Sequence, residues 1–134
     1  MKNWDELFVT PELAIKLKEK GFNEWCFAVF TPEFKCVSHY GIGEEFTGMW
    51  KASESDSLIP APLFDQIGAW FRKNHKLNIW LDCDSKERWV WTINFMTKGD
   101  YIQCDDEDNG VETIWFDDYY KAYNNAIEKA LTLI

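Results

Sequence analysis

The chain is predicted to be an α+β protein. It is read as a single domain, residues 1–134, with one mainly antiparallel or mixed sheet of about five strands and three helices packed mostly on one face. Three observations point there. Two segments with apolar residues at helical spacing stand behind clear start signals, Thr10-Pro11-Glu12 and Asp118. Residues 88–96 alternate at period two. Between these ends, Ile59 to Leu81 reads as a proline-stiffened lead-in, a helix of about three turns, a basic helix end and a strand.

Thr10 is read as the cap of the first helix, with Pro11 at its first position and Glu12 in its first turn. Leu13, Ala14 and Leu17 supply its apolar side, and Gly21 follows as the left-handed residue, with Phe22 folding back on the last turn. Ahead of it, Trp4, Leu7, Phe8 and Val9 are apolar enough to lie against the body as an arm or short strand. Residues 25–30 and 34–40, separated by Thr31-Pro32-Glu33, form an expected antiparallel hairpin. Residues 41–58 show no period and exceed the usual loop length of about 4–6 residues, which marks them as mobile or functional.

In the central segment Pro62 suits the first helical position, and Leu63, Phe64, Ile67, Trp70 and Phe71 form one apolar face. Gly68 is expected to let this helix lie close to a sheet. Arg72, Lys73, His75 and Lys76 gather at the helix end, a placement the macrodipole favours; a solvated terminus is the plainer reading and an anion-docking point the alternative. Leu77 to Cys83 is the third strand and Arg88 to Met96 the fourth. Trp89, Trp91, Ile93 and Phe95 share the face expected to meet the helices; an inverted register would make that face an exposed aromatic platform. Tyr101 to Cys104 is a short strand, Asn109-Gly110 a hairpin turn, and Val111 to Phe116 the last strand. Asp118 caps a final helix with Tyr119, Ala122, Tyr123, Ala126, Ile127, Ala130, Leu131 and Ile134 as its apolar stripe.

Composition narrows the function classes. No apolar run approaches the ~18 residues of a membrane span, and the N-terminus lacks a secretion signal, so a cytoplasmic address is expected. A net charge of −9 repels a phosphate backbone and argues against nucleic-acid partners, while suiting a basic protein surface. Cys26, Cys36, Cys83 and Cys104 read as reduced core residues, with no CxxC and no zinc pattern. Eight tryptophans are more than so small a core hides, so two or three are expected at the surface, where they mark a binding face.

No catalytic constellation stands out. Placing Asp105 first in a calcium loop puts Glu107 and Asn109 at ligand positions and Gly110 at the turn. Phe116 then falls where a bidentate glutamate is required, and the match fails. Cys36 and His39 point to opposite faces of one strand, whereas His75 and Cys83 sit on adjacent elements and stay open as a thiol–histidine pair. Gly41-Ile42-Gly43 precedes Glu44-Glu45, the wrong charge for a phosphate cradle, and no cofactor is implied. Between Lys98 and Lys121 lie eight acids and no base. A partner-binding role is therefore assigned to Asp100, Asp105, Asp106, Glu107, Asp108 and Glu112, together with Trp80.

Ile59-Pro60-Ala61-Pro62 with Phe64, Trp70-Phe71-Arg72 and Leu77-Asn78-Ile79-Trp80 resembles a motif of small uncharacterised proteins from phages, prophages and Bacteroidales-type genomes. The resemblance spans nearly the whole chain, rests on architectural residues and implies no activity. What it implies is a small acidic modulator of phage or mobile-element type that binds a protein partner through its acidic surface and exposed aromatics. The alternatives are a small-molecule or carbohydrate-binding domain, or a hydrolase, with a pocket near the third and fourth strands, and a structural or oligomeric phage component.

Overall fold

The computed structural model describes residues 8–26, 28–30, 36–38, 59–104 and 115–134. The class is α+β, with antiparallel pairing throughout. Among the described residues the strands form two three-stranded sheets, where the sequence suggested one sheet of about five. The chain divides into two compact units, Met1–Gln66 and Ile67–Ile134.

In the first unit α1 (Pro11–Glu19) begins as its cap signals dictate: the Thr10 hydroxyl accepts from the Leu13 N–H at 3.4 Å. It ends in a Schellman turn. Gly21, at φ 94°, donates to the Lys18 carbonyl and Phe22 to the Leu17 carbonyl, and the Phe22 ring is buried. β1 (Ala28–Phe30) lies between β2 (Cys36–Ser38) and β3 (Ile59–Ala61), so the expected hairpin forms. β3 is a departure from the reading of Ile59–Ala61 as a helix lead-in. Pro60 argues against a central strand, but β3 is a sheet edge, the position where proline is tolerated because only one side of the strand is paired. Pairing β3 with β1 is what gives this unit a separate sheet.

Of the expected N-terminal arm, Phe8 and Val9 are described. Phe8 bridges Leu63, and Val9 donates to the Pro62 carbonyl. Pro62 itself precedes the helix rather than opening it. α2 spans Phe64–Trp70, Leu63 occupies the cap position, and the Gln66 side chain supplies the cap by accepting from the Leu63 N–H at 3.0 Å. The same amide donates to the Trp25 carbonyl at 2.7 Å, which ties the helix start to the segment entering β1.

In the second unit the helix does not run on as α. Phe71–His75 widens into a π-helical turn, the Lys76 N–H reaching back to the Phe71 carbonyl and Lys76 taking the left-handed conformation at φ 55°. β4 (Leu77–Cys83), β5 (Trp89–Phe95) and β6 (Tyr101–Gln103) follow in that spatial order, Trp80 opposite Thr92 and Thr92 opposite Gln103. Asp118 caps α3 (Tyr119–Leu131), accepting from the Tyr120 and Lys121 N–H groups at 2.8 and 3.0 Å. Its expected stripe is buried from Ala122 to Leu131 and packs on β5 and β4.

Gly68 does not serve a sheet. A Cβ there would stand 2.7 Å from the Tyr123 hydroxyl, so the missing side chain is what lets α3 approach. The cysteines also divide: Cys26 and Cys104 are buried, but Cys83 is exposed, because β4 runs past the ground α3 covers.

Candidate functional site: the open face of the second sheet

Period-two alternation assigns every side chain of β4–β5–β6 to one of two faces. Leu77, Ile79, Trp91 and Ile93 face α3 and are buried. The Trp91 indole N–H donates to the Asn125 Oδ1 at 2.8 Å, and the Trp89 ring meets Tyr119 edge-on at 5.0 Å. The aromatic face of β5 is thus core, as expected, and the inverted register does not occur.

The other face carries Asn78, Trp80 and Asp82 from β4, Val90, Thr92 and Asn94 from β5, and Tyr101 and Gln103 from β6, in rows fixed by the pairing. Two further residues extend it. Met96 donates to the Lys76 carbonyl, so the ladder continues one step past β4 and Met96 joins the row beyond Asn94. At the opposite end Phe116 bridges Trp89, and its neighbour Trp115 lies under the Arg88 guanidinium at 4.4 Å.

Among the described residues, six large apolar side chains stand exposed, and four of them share this face. They are Trp80 (59%), Tyr101 (61%), Met96 (53%) and Trp115 (40%). The face is about 27 Å long from Met96 to Arg88 and about 14 Å wide, given the spacing of strands and residues. Its interior is neutral and rich in amides, Gln103 Nε2 donating to Thr92 Oγ1 at 3.5 Å. Charge gathers at the Arg88 end. There Asp84 holds Arg88 through Nε at 2.8 Å and through a second nitrogen at 2.6 Å, and accepts the Arg88 and Lys86 backbone N–H groups at 2.9 Å. The Arg88 backbone N–H, above all, and then its side chain hold the Asp84 carboxyl below the usual carboxylate range.

Of the nominated residues, Trp80 and Asp100 are exposed, Trp80 on this face and Asp100 one residue ahead of β6. Asp105, Asp106, Glu107, Asp108 and Glu112, with the hairpin turn at Asn109-Gly110 and the strand from Val111, lie outside the described residues. Their attachment points are nevertheless fixed. Cys104 donates to the Trp91 carbonyl and Phe116 to the Trp89 carbonyl, so described residues on either side of the tract bond to β5 at positions two apart. Two other acids of the tract have structural work: Asp118 caps α3 and Asp117 pairs with Lys121 at 3.1 Å. Sequence reasoning missed Tyr101, Met96 and Trp115 as companions of Trp80; the pairing register, invisible in one strand alone, brings them together.

The alternative sites fare differently. His75 packs on Trp70 at 4.7 Å, and the whole of β4 separates it from Cys83, about 20 Å along an extended strand, so the two do not meet. Arg72, Lys73 and Lys76 are exposed at the π-turn, and the Lys76 ammonium donates to the Lys73 carbonyl. A shallow cleft of about 300 Å³ opens between α3 and β6, lined by Trp91, Gln103, Cys104, Asn125 and Glu128 among others. Among the described residues no group of histidine, cysteine and acidic side chains is arranged to hold a metal ion, and no helix is long and apolar enough to cross a membrane. No family model matches the chain, and neither does any curated protein or solved structure.

Proposed function

We propose that the chain is a binding module that engages a protein partner through the open face of β4–β5–β6, with Trp80 at its middle, and that its negative charge selects a basic partner surface. One observation carries this reading: four of the six exposed large apolar side chains among the described residues share that face. Protein interfaces are enriched in tryptophan, tyrosine, methionine and arginine and depleted in lysine and glutamate. Trp80, Trp115, Tyr101, Met96 and Arg88 bring those enriched types together, with Lys76 opposite Met96 at one end of the face and Asp82 toward the other. Cys104 and Phe116, the described residues that flank the acidic tract, both bond to β5 of the same sheet, which supports counting the tract with this surface. A modulator of phage or mobile-element type is the setting the sequence resemblance implies.

A photo-reactive residue in place of Thr92, at the centre of the face, is expected to trap the partner in cells of the source organism, while the same group in place of Lys129 on α3 is not. Trp80→Ala and Tyr101→Ala should each weaken binding of the trapped protein by about 30-fold, the effect of losing a central anchor. Equal trapping from both positions, or binding indifferent to both substitutions, refutes the reading. The amides Asn78, Asn94 and Gln103 beside Trp80 favour a second reading, a carbohydrate surface; retention on polysaccharide that Trp80→Ala abolishes would select it.

A further inference from the structure

We propose that the outer edge of β4 pairs with β4 of a second copy of this chain, antiparallel about a two-fold axis at Trp80, joining two three-stranded sheets into one of six strands. The Lys76 carbonyl accepts from Met96 and the Asp84 N–H donates to the Arg88 carbonyl, so the even-numbered residues turn their backbone groups toward β5. Leu77, Ile79, Leu81 and Cys83 therefore turn theirs outward. Among the described residues no strand lies on that side of β4, and of the four outward N–H groups only that of Cys83 meets a side chain, the Asp82 Oδ1 at 2.9 Å.

Exposed edges are normally blunted by lysine, proline, a bulge or short length. β4 has no lysine, proline or bulge: it is seven residues, Leu77 to Cys83, unbroken in its pairing with β5, and its single charge, Asp82, covers only the Cys83 N–H at one end.

The occupant follows from the sequence of the edge itself. Trp80 is the middle residue of β4, so pairing about it uses the strand's full length. Ile79 then exchanges hydrogen bonds with Leu81 of the second copy, and Leu77 with Cys83; Asn78 lies opposite Asp82, and the two Trp80 side chains meet on the open face. Charge fits the same arrangement. Lys76 precedes the strand, whereas Asp82 and Asp84 stand at its far end. Antiparallel self-pairing brings Lys76 beside Asp84 of the second copy at both ends, and parallel pairing would set like charges together.

Area gives a reason for the pairing. The face of one copy covers about 400 Å², half of the roughly 800 Å² per side that a standard protein interface buries; six strands supply that area. This inference goes beyond the binding reading and rests on it only for the area argument; the open edge of β4 and its charge pattern stand without it.

The whole chain is expected to sediment at twice its 15.9 kDa mass. In a Cys83→Ser background, Trp80→Cys should oxidise to a covalent dimer, because a non-hydrogen-bonded antiparallel pair brings its Cβ atoms within disulfide reach. Asn78→Cys should not cross-link to itself, but should cross-link to Asp82→Cys when the two proteins are mixed. Leu81→Pro removes an outward N–H in each copy while leaving Trp80 in place, and should weaken the dimer by about 30-fold. A single-copy mass at the highest attainable concentration overturns the proposal. So does Asn78→Cys cross-linking to itself as readily as Trp80→Cys does, which would mean random collision. Cross-linking is read on folded protein, so a Leu81→Pro chain that fails to fold leaves the test decisive. Neither readout involves another partner, so the open-face reading and this one fail separately.

Discussion

Replacing Gly68 with alanine tests the helix packing of the second unit in a way that separates two opposed effects. Within a helix, glycine to alanine ordinarily stabilises by about 1 kcal/mol, through lower unfolded-state entropy. Here the new methyl carbon would stand 2.7 Å from the Tyr123 Oη and 3.4 Å from an Arg72 guanidinium nitrogen. Arg72 is exposed and yields easily, whereas Tyr123 is a rigid ring held in the core of α3. Forcing a methyl into a packed contact costs about 1–3 kcal/mol. The net expectation is destabilisation of up to about 2 kcal/mol, read as a lower urea midpoint at unchanged slope. Tyr123→Phe removes the clashing oxygen, so Gly68→Ala introduced into that background should recover its intrinsic gain. A coupling of about 1–3 kcal/mol between the two sites is expected from the double-mutant cycle. If Gly68→Ala raises the midpoint in the unaltered chain, the close approach of α3 at this glycine is refuted.

Other expectations follow from local geometry. Asp118→Ala removes the side-chain cap of α3 and should cost about 1 kcal/mol, measurable by thermal unfolding, with Thr10→Ala costing a comparable amount at α1. Glu87 sits at φ 59° in the β4–β5 turn, so Glu87→Gly should stabilise by up to about 1 kcal/mol in the same assay. Burial, with the Glu24 carboxylate adding to it, pushes the Cys26 thiol from 9.0 up to about 12. The folded chain therefore holds this proton more tightly than the unfolded chain. Stability from this group is complete below about pH 9 and falls as pH rises toward 12, and Cys26→Ala should flatten that part of the unfolding profile. A thiol reagent should meet Cys83 at once, and Cys26 and Cys104 only on unfolding.

What the sequence made legible was whatever depends on near neighbours along the chain. Thr10, Gly21, Phe22 and Asp118 act through residues within five positions, and each does what its type and place imply. The alternation of 89–96 likewise identified the core face of β5, since one strand's period is enough to decide it. Pro60 misled because the cost of its missing N–H depends on which sides of the strand are paired, and strand order is a tertiary fact. The π-turn at Phe71–His75 left no mark in the pattern, the apolar spacing through Phe71 being the same for either helix. The candidate site was half visible. Trp80 stood out as a member of an excess, but its grouping with Tyr101, Met96 and Trp115 needed the register of three strands and one bridge.

The anchoring of the chain at Cys104 and Phe116 bears on how this protein tolerates change. Both residues are stitched to β5, opposite positions two apart, so the ends of the intervening segment are held about 7 Å from one another whatever its length. Doubling that length costs only about 0.6 kcal/mol of closure entropy. A designer grafting an epitope or a reporter between Cys104 and Phe116 therefore has both ends of the insert held by bonds to β5 that do not depend on its length.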